Sequence, residues 1–297
     1  MNFRPIKTTA KLFGLAAIIS LASCKKDVSS SNSNESNAAS LSDSSTAADN
    51  VYLDVLNTAF VATADNSTVW SISASHQGKT STLSTATTGT ANLGCAIYTI
   101  DDNVPGSYPK KLTLDFGTGC TSTDGILRKG KITFVFSGPL FFPGTTDTAT
   151  FNNYVVNGYG LQGAYSITNN SSAQVGVSFT TKVTNGIVTY PNTTNYHYSH
   201  NRTFIMTAGI NTPDNITDDV YSITGNSSFS SSDGTSLVCN ITKPLVKAVS
   251  CHNISGGIVA FVYNDVVNGT IDFGDGITCD NLATVTAGNI HRTIILR

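Results

Sequence analysis

Charged side chains are scarce in this chain. Lys, Arg, Asp and Glu together make up 12% of its 297 residues, about half the share in an ordinary soluble domain. The few basic residues form no stripe or patch, so the electrostatic footprint of a nucleic-acid partner is missing. Long apolar runs are missing too: the one strongly apolar stretch, from Leu12 to Leu21, is too short for a permanent membrane span. No Gly-x-Ser-x-Gly elbow, Walker loop or His-Glu-x-x-His helix occurs. The carboxylate pairs Asp101-Asp102 and Asp218-Asp219 are adjacent in sequence and point to opposite faces of any strand, so neither makes an acid/base pair. His197 and His200 also fall on opposite faces of a strand, and His76, His252 and His291 have no ligating neighbour at metal spacing. No metal and no cofactor is therefore expected.

The N-terminus is a three-part export signal. Arg4, Lys7 and Lys11 precede the short apolar core, and small residues follow it. The signal ends in Leu21-Ala22-Ser23-Cys24, which resembles the bacterial lipobox. That resemblance implies cleavage after residue 23 and acylation of Cys24, which would tie the protein to a membrane through its lipid. Lys25 follows the cysteine in place of the acidic residue that retains some lipoproteins in the inner membrane. The run Cys-Lys-Lys-Asp is similar to the start of many Bacteroidetes lipoproteins, which points to the outer membrane, on its periplasmic side or at the cell surface.

Residues 24–50 are mostly Ser, Asn, Ala and Asp, a composition that reads as a flexible tether. Residues 51–297 read as a single β-rich domain. Its one helix is expected over 51–64, where Tyr52, Leu56 and Phe60 form a stripe and Asp49 or Asn50 can cap the first turn. From about residue 92 onward the pattern has period two. Leu112, Leu114 and Phe116 alternate with Lys111, Thr113 and Asp115, and Ile132, Phe134 and Phe136 repeat the pattern. Turn dipeptides are frequent: Asn157-Gly158, Asn185-Gly186, Asn268-Gly269, Pro191-Asn192 and Pro213-Asp214. The expected fold class is all-β: an antiparallel meander forming a large curved sheet or a sandwich, with the helix packed on it.

One motif occurs twice. Leu114-Asp115-Phe116-Gly117-Thr118-Gly119-Cys120 is echoed by Ile271-Asp272-Phe273-Gly274-Asp275-Gly276, with Cys279 shortly after. Cys95 and Cys251 stand upstream of the two copies at similar distances. Residues face each other across a hairpin when its turn lies midway between them. The midpoint of Cys95 and Cys120 falls beside the Asn-Val-Pro-Gly-Ser stretch at 103–107, and that of Cys251 and Cys279 falls within Asn264-Asp265. Two duplicated hairpins, 95–120 and 251–279, each closed by a disulfide, are therefore expected, in keeping with an oxidising compartment. Each bridge would contribute about 3–4 kcal/mol by the chain-entropy estimate. Cys239 is left as a buried thiol; a Cys239–Cys251 link across Pro244 is the rival pairing. Asp272, Asp275 and Asp280 lie close enough to suggest calcium, but Thr118 replaces Asp275 in the first copy, so turn structure is the preferred reading.

As a whole the chain resembles Bacteroidetes lipoproteins with Asp-Phe-Gly-x-Gly-Cys hairpins, through 95–138 and 251–296; the resemblance implies no activity. Tyr190, Tyr196 and Tyr198 cluster around a hairpin and form the candidate binding patch, since exposed aromatics stack on sugars and peptides. The expected function is that of a cell-envelope lipoprotein with a non-catalytic binding or structural role, its partner a glycan or an envelope protein. The alternative is an envelope glycan hydrolase with acids too scattered to identify. A groove with two carboxylates and several aromatics would favour the hydrolase, and a flat Thr/Ser sheet face would favour the first reading.

Overall fold

A computed structural model describes residues 28–64, 80–82, 93, 95–102, 107–122, 124–212 and 215–296. The export signal, Cys24, His76, the stretch at 103–106 and the Pro213-Asp214 turn lie outside the described residues. Antiparallel strands dominate: β1 (Thr80–Thr82), β2 (Ile97–Asp102), β3 (Lys110–Asp115), β4 (Cys120–Thr121), β5 (Leu127–Phe136), β6 (Thr146–Val156), β7 (Tyr159–Asn169), β8 (Ser178–Thr189), β9 (Asn195–Ala208), β10 (Val220–Ser231), β11 (Ser236–Ala248), β12 (Gly256–Tyr263), β13 (Val267–Asp275), β14 (Leu282–Ala287) and β15 (Ile290–Ile295). All belong to one sheet in which each strand pairs with the next, β4 alone lying off the path beside β5. The meander expected from the alternating pattern is present, as a curved sheet rather than a sandwich of two.

A single helix, α1 (Val28–Ala64), packs on this sheet. It begins far upstream of 51–64 and takes in most of the stretch read as a tether. The physical reason is close packing. Ala38, Ala39, Ser42, Ser45, Thr46 and Ala48 are all buried, and such small side chains let the helix lie tight against the strands. Their low hydrophobicity hid this from the composition. Ser42 and Thr46 satisfy their hydroxyls within the helix, on the carbonyls of Ala38 and Ser42. From Ser45 to Thr63 nearly every position is buried, so the helix is surrounded and has no single apolar stripe. Among the described residues no helix is long and apolar enough to cross a membrane.

What bends the sheet around α1 is a line of irregularities crossing neighbouring strands. The pairing register steps between Lys129 and Lys131 on β5, Thr150 and Val155 on β6, Gln162 and Ala164 on β7, Val183 and Gly186 on β8, and Ile223 and Asn226 on β10. Bulges in register curl a sheet along one fold line. Glycine is required where the strands approach most closely: a Cβ on Gly130 would lie 2.1 Å from the Asn153 carbonyl oxygen, and one on Gly225 2.2 Å from that of Asn201. Asn185-Gly186 is one of these bulges inside β8, and Asn268-Gly269 lies inside β13, so neither is a hairpin turn. Asn157-Gly158 and Pro191-Asn192 are turns.

The inner face carries the core, including Phe134, Phe136, Tyr165, Phe179, Ile223, Phe261 and Val285. The outer face carries rows of threonine. Thr99, Thr113, Thr133 and Thr150 stand opposite one another on β2, β3, β5 and β6. Thr146, Thr168, Thr180, Thr203 and Thr224 do the same from β6 to β10. Hydroxyls thus supply the surface polarity that the missing charges do not.

Candidate functional site

Both copies of the duplicated motif are turns clipped by disulfides. The Asp115 carboxylate accepts the Gly117 N–H, and Asp272 accepts that of Gly274, in both cases at 2.9 Å. Each glycine has positive φ, 58° and 95°. The intervening Phe116 and Phe273 are buried anchors. Aspartate, phenylalanine and glycine therefore cap, anchor and turn the end of a strand, and the motif is structural. Cys95 is bonded to Cys120 and Cys251 to Cys279, while Cys239 is free and buried. Burial pushes the Cys239 thiol up to about 12, which keeps it protonated and inert. In the second copy the register places the hairpin turn at Asn264-Asp265, both with positive φ. Asp275 accepts the N–H groups of Ile277 and Thr278, and Asp280 that of Leu282. Among the described residues no group of three His, Cys, Asp or Glu side chains gathers as a metal site.

Two arginines reach inward from the sheet to aspartates of α1. Arg128 on β5 is fully buried and donates through Nε and Nη2 to both carboxylate oxygens of Asp54. The same guanidinium binds Asp124 and the Ser122 hydroxyl. Arg202 on β9 pairs with Asp49 at 2.8 Å. The Tyr198 hydroxyl donates to Asp49 and also contacts His200 Nδ1, while His200 Nε2 meets the Thr181 hydroxyl. Burial, then the Arg202 charge, holds His200 well below its ordinary range, so it stays neutral. Asp49, expected at the helix start as a cap, is instead a mid-helix anchor.

The candidate aromatic patch divides. Tyr198 is buried, stacked on Tyr52 with ring centroids 5.1 Å apart. Tyr190 gives its hydroxyl to the Ser44 carbonyl and meets Tyr159 and Tyr196 edge-on. Tyr196 stacks on Phe229 at 4.5 Å. The three tyrosines pack the helix against the inner face of β8 and β9, with Tyr190 and Tyr196 only partly covered.

A cavity of about 440 Å³ lies between α1 and the two halves of the sheet. Asn50, Leu53, Asp54 and Asn57 form its helical floor. Asp124, Ile126 and Val156 form one wall, and Lys247, Val249, Cys251 and Asn253 another. The two clipped motifs bear on opposite sides of it. Cys120 opens β4, and Ser122 and Asp124, just beyond it, reach Arg128. Cys251 is itself in the far wall, and its carbonyl accepts a hydrogen bond from Lys247 Nζ. Lys247 lies opposite Tyr221 and two residues from buried Leu245, on the inner face of β11. Its other acceptor is the Ala248 carbonyl, and burial pushes its ammonium down to about 8. Sequence reading missed this cavity, because its walls come from positions more than a hundred residues apart. The only local signal was the pair of disulfides.

Comparison with protein-family models gave no match, and comparisons with curated proteins and with solved structures gave no significant match.

Proposed function

We propose that the chain is a cell-envelope lipoprotein, held to the outer membrane by acyl chains on Cys24, whose folded domain binds a ligand and does not catalyse. The observation that carries the binding role is the cavity with one disulfide, through Cys251, in its far wall and the other, through Cys120, four residues before Asp124 of the near wall. Rigid walls hold a site in one shape and lower the ordering cost of binding. Its two carboxylates favour binding over glycan hydrolysis, because Asp54 and Asp124 are both engaged by Arg128. A catalytic carboxyl must be free to reach the scissile bond or its water, and Arg128 already holds both oxygens of Asp54 and reaches Asp124. Beside the His252 imidazole, Tyr159 is the one aromatic ring in the described lining, whereas sugar-cleaving grooves present several. The threonine rows of the outer face fit the same reading, as a polar surface suited to the envelope.

The anchor is tested by expressing the full chain and Cys24→Ala in a Gram-negative host with labelled palmitate. The wild type is expected to take up label and to sediment with outer membranes; the variant should be unlabelled and released. An unlabelled wild type, or a variant that stays on the membrane after a salt wash, overturns the lipoprotein reading.

A further inference from the structure

Among the cations that reach inward from this sheet towards α1 or the space beside it, Arg128, Arg202 and Lys247 meet different fates. Arg128 meets Asp54 and Asp124, and Arg202 meets Asp49. Lys247 meets two backbone carbonyls and, among the described residues, no carboxylate at ion-pair distance. An inward ammonium that is half-buried and satisfied only by carbonyls is costly to keep charged. It lines a cavity wide enough for a small molecule, and an ammonium with two carbonyl acceptors retains a third proton to donate.

The wall on the β5 side has the opposite imbalance. One guanidinium there serves two carboxylates, so that cluster carries one negative charge in surplus. Asp124 is the outer member, its side chain 21% exposed against 6% for Asp54. Its Oδ2 accepts one bond from Arg128 and has room for another. The cavity therefore presents an unmatched positive charge on one wall and an unmatched negative charge on another, over an amide-bearing floor that includes Asn57.

We propose that this cavity binds a small zwitterion, a free amino acid or short peptide, with its carboxylate on Lys247 and its ammonium on Asp124. A simple anion would satisfy Lys247 and leave the Asp124 surplus facing it; a neutral sugar would satisfy neither. The Ile126, Val156 and Val249 side chains of the two walls would cover an aliphatic side chain. The inference rests on the binding role proposed above and adds the ligand class.

The test is calorimetric titration of the purified full chain with the free L-amino acids and with Ala-Ala, each compared with its N-acetyl and C-amide forms. At least one zwitterion is expected to bind, and blocking either end should weaken it at least tenfold. Lys247→Gln should abolish the preference for a free carboxylate while keeping that for a free amine, and Asp124→Asn should do the reverse. Melting curves of both variants establish that they are folded. If Asp124→Asn is not, Lys247→Gln with the blocked ligands carries the test alone. Binding indifferent to both blocking groups, or saturation by acetate alone, overturns the proposal. Binding of a neutral monosaccharide in place of every zwitterion also sinks it, yet leaves the binding role standing; no binding by any of these probes removes both.

Discussion

The Asp49–Arg202 pair gives the sharpest test of how α1 is held. Side-chain exposures are 9% and 5%, so both charges are out of water and meet at 2.8 Å. Burial, the largest single influence, would lower the Arg202 pKa; the Asp49 charge and hydrogen bond, with smaller contributions from Tyr198 and Cys239, together outweigh it and leave it raised. Arginine cannot shed its proton in a protein, so Asp49→Leu strands a permanent charge between helix and sheet. Breaking a buried pair from one side costs about 3–5 kcal/mol. With about 2–4 °C per kcal/mol for a domain of this size, the melting temperature should fall by roughly 6–20 °C. Arg202→Met should cost about as much, because among the described residues it leaves Asp49 with the Tyr198 hydroxyl alone. Removing both charges together should return stability to within about 1 kcal/mol of the wild type, since a well-packed apolar replacement of an ion pair is often neutral. Urea denaturation of the four proteins closes a double-mutant cycle with an expected coupling of about 5 kcal/mol or more. Single variants costing less than about 1 kcal/mol, or a double variant costing the sum of the two, would refute the idea that this pair clamps the helix.

Other consequences are open to the same instruments. The Cys251→Ser/Cys279→Ser double variant should lose about 3.5 kcal/mol, and amide exchange at 249–253 should quicken, because that cavity wall loses its clip. Asp147 on β6 is wholly buried, and burial drives its carboxyl well above the usual range, with backbone N–H groups of Thr148 and Val135 pulling partly back. A group protonated in the fold but ionised in the unfolded chain stabilises fully below about pH 4, and that contribution is lost as pH rises through the folded pKa. Asp147→Asn should therefore raise stability at pH 7 and change it little at pH 4, as read from denaturation midpoints across that range. Gly225→Ala should destabilise by more than the ~1 kcal/mol of an ordinary glycine substitution, because the added methyl meets the Asn201 carbonyl at the fold line. Circular dichroism melts would report it.

Much of this architecture was legible because it is local. Period-two alternation over Leu112–Leu114–Phe116 and Ile132–Phe134–Phe136 marks a sheet face wherever it occurs, and the cysteine spacing placed both disulfides. The first half of α1 was not legible. Ser, Asn and Ala carry no periodic stripe, and only a sheet wrapped on all sides makes burial of such side chains stable. Asn185-Gly186 misled for a related reason: the left-handed backbone that makes a hairpin turn also makes a bulge, and the dipeptide does not distinguish them. The cavity was out of reach, since Asp54 and Arg128 are 74 residues apart and Lys247 lies further still. Tyr198 was placed correctly on a strand but on its inner face, where stacking on Tyr52 uses it for packing.

The rod at the centre is synthesised before any of the strands that enclose it, yet its leading turns are gripped by the last two. Glu35 accepts the Asn289 N–H across 254 residues of sequence, and Arg292 donates to the Ala39 carbonyl across 253. A nascent chain therefore cannot finish its cage until β14 and β15 have arrived, and it must carry a half-wrapped core until then. Long-range closure of this kind slows folding, and a chain clipped near its C-terminus would lose the bonds that Asn289 and Arg292 make to the entry end of the rod.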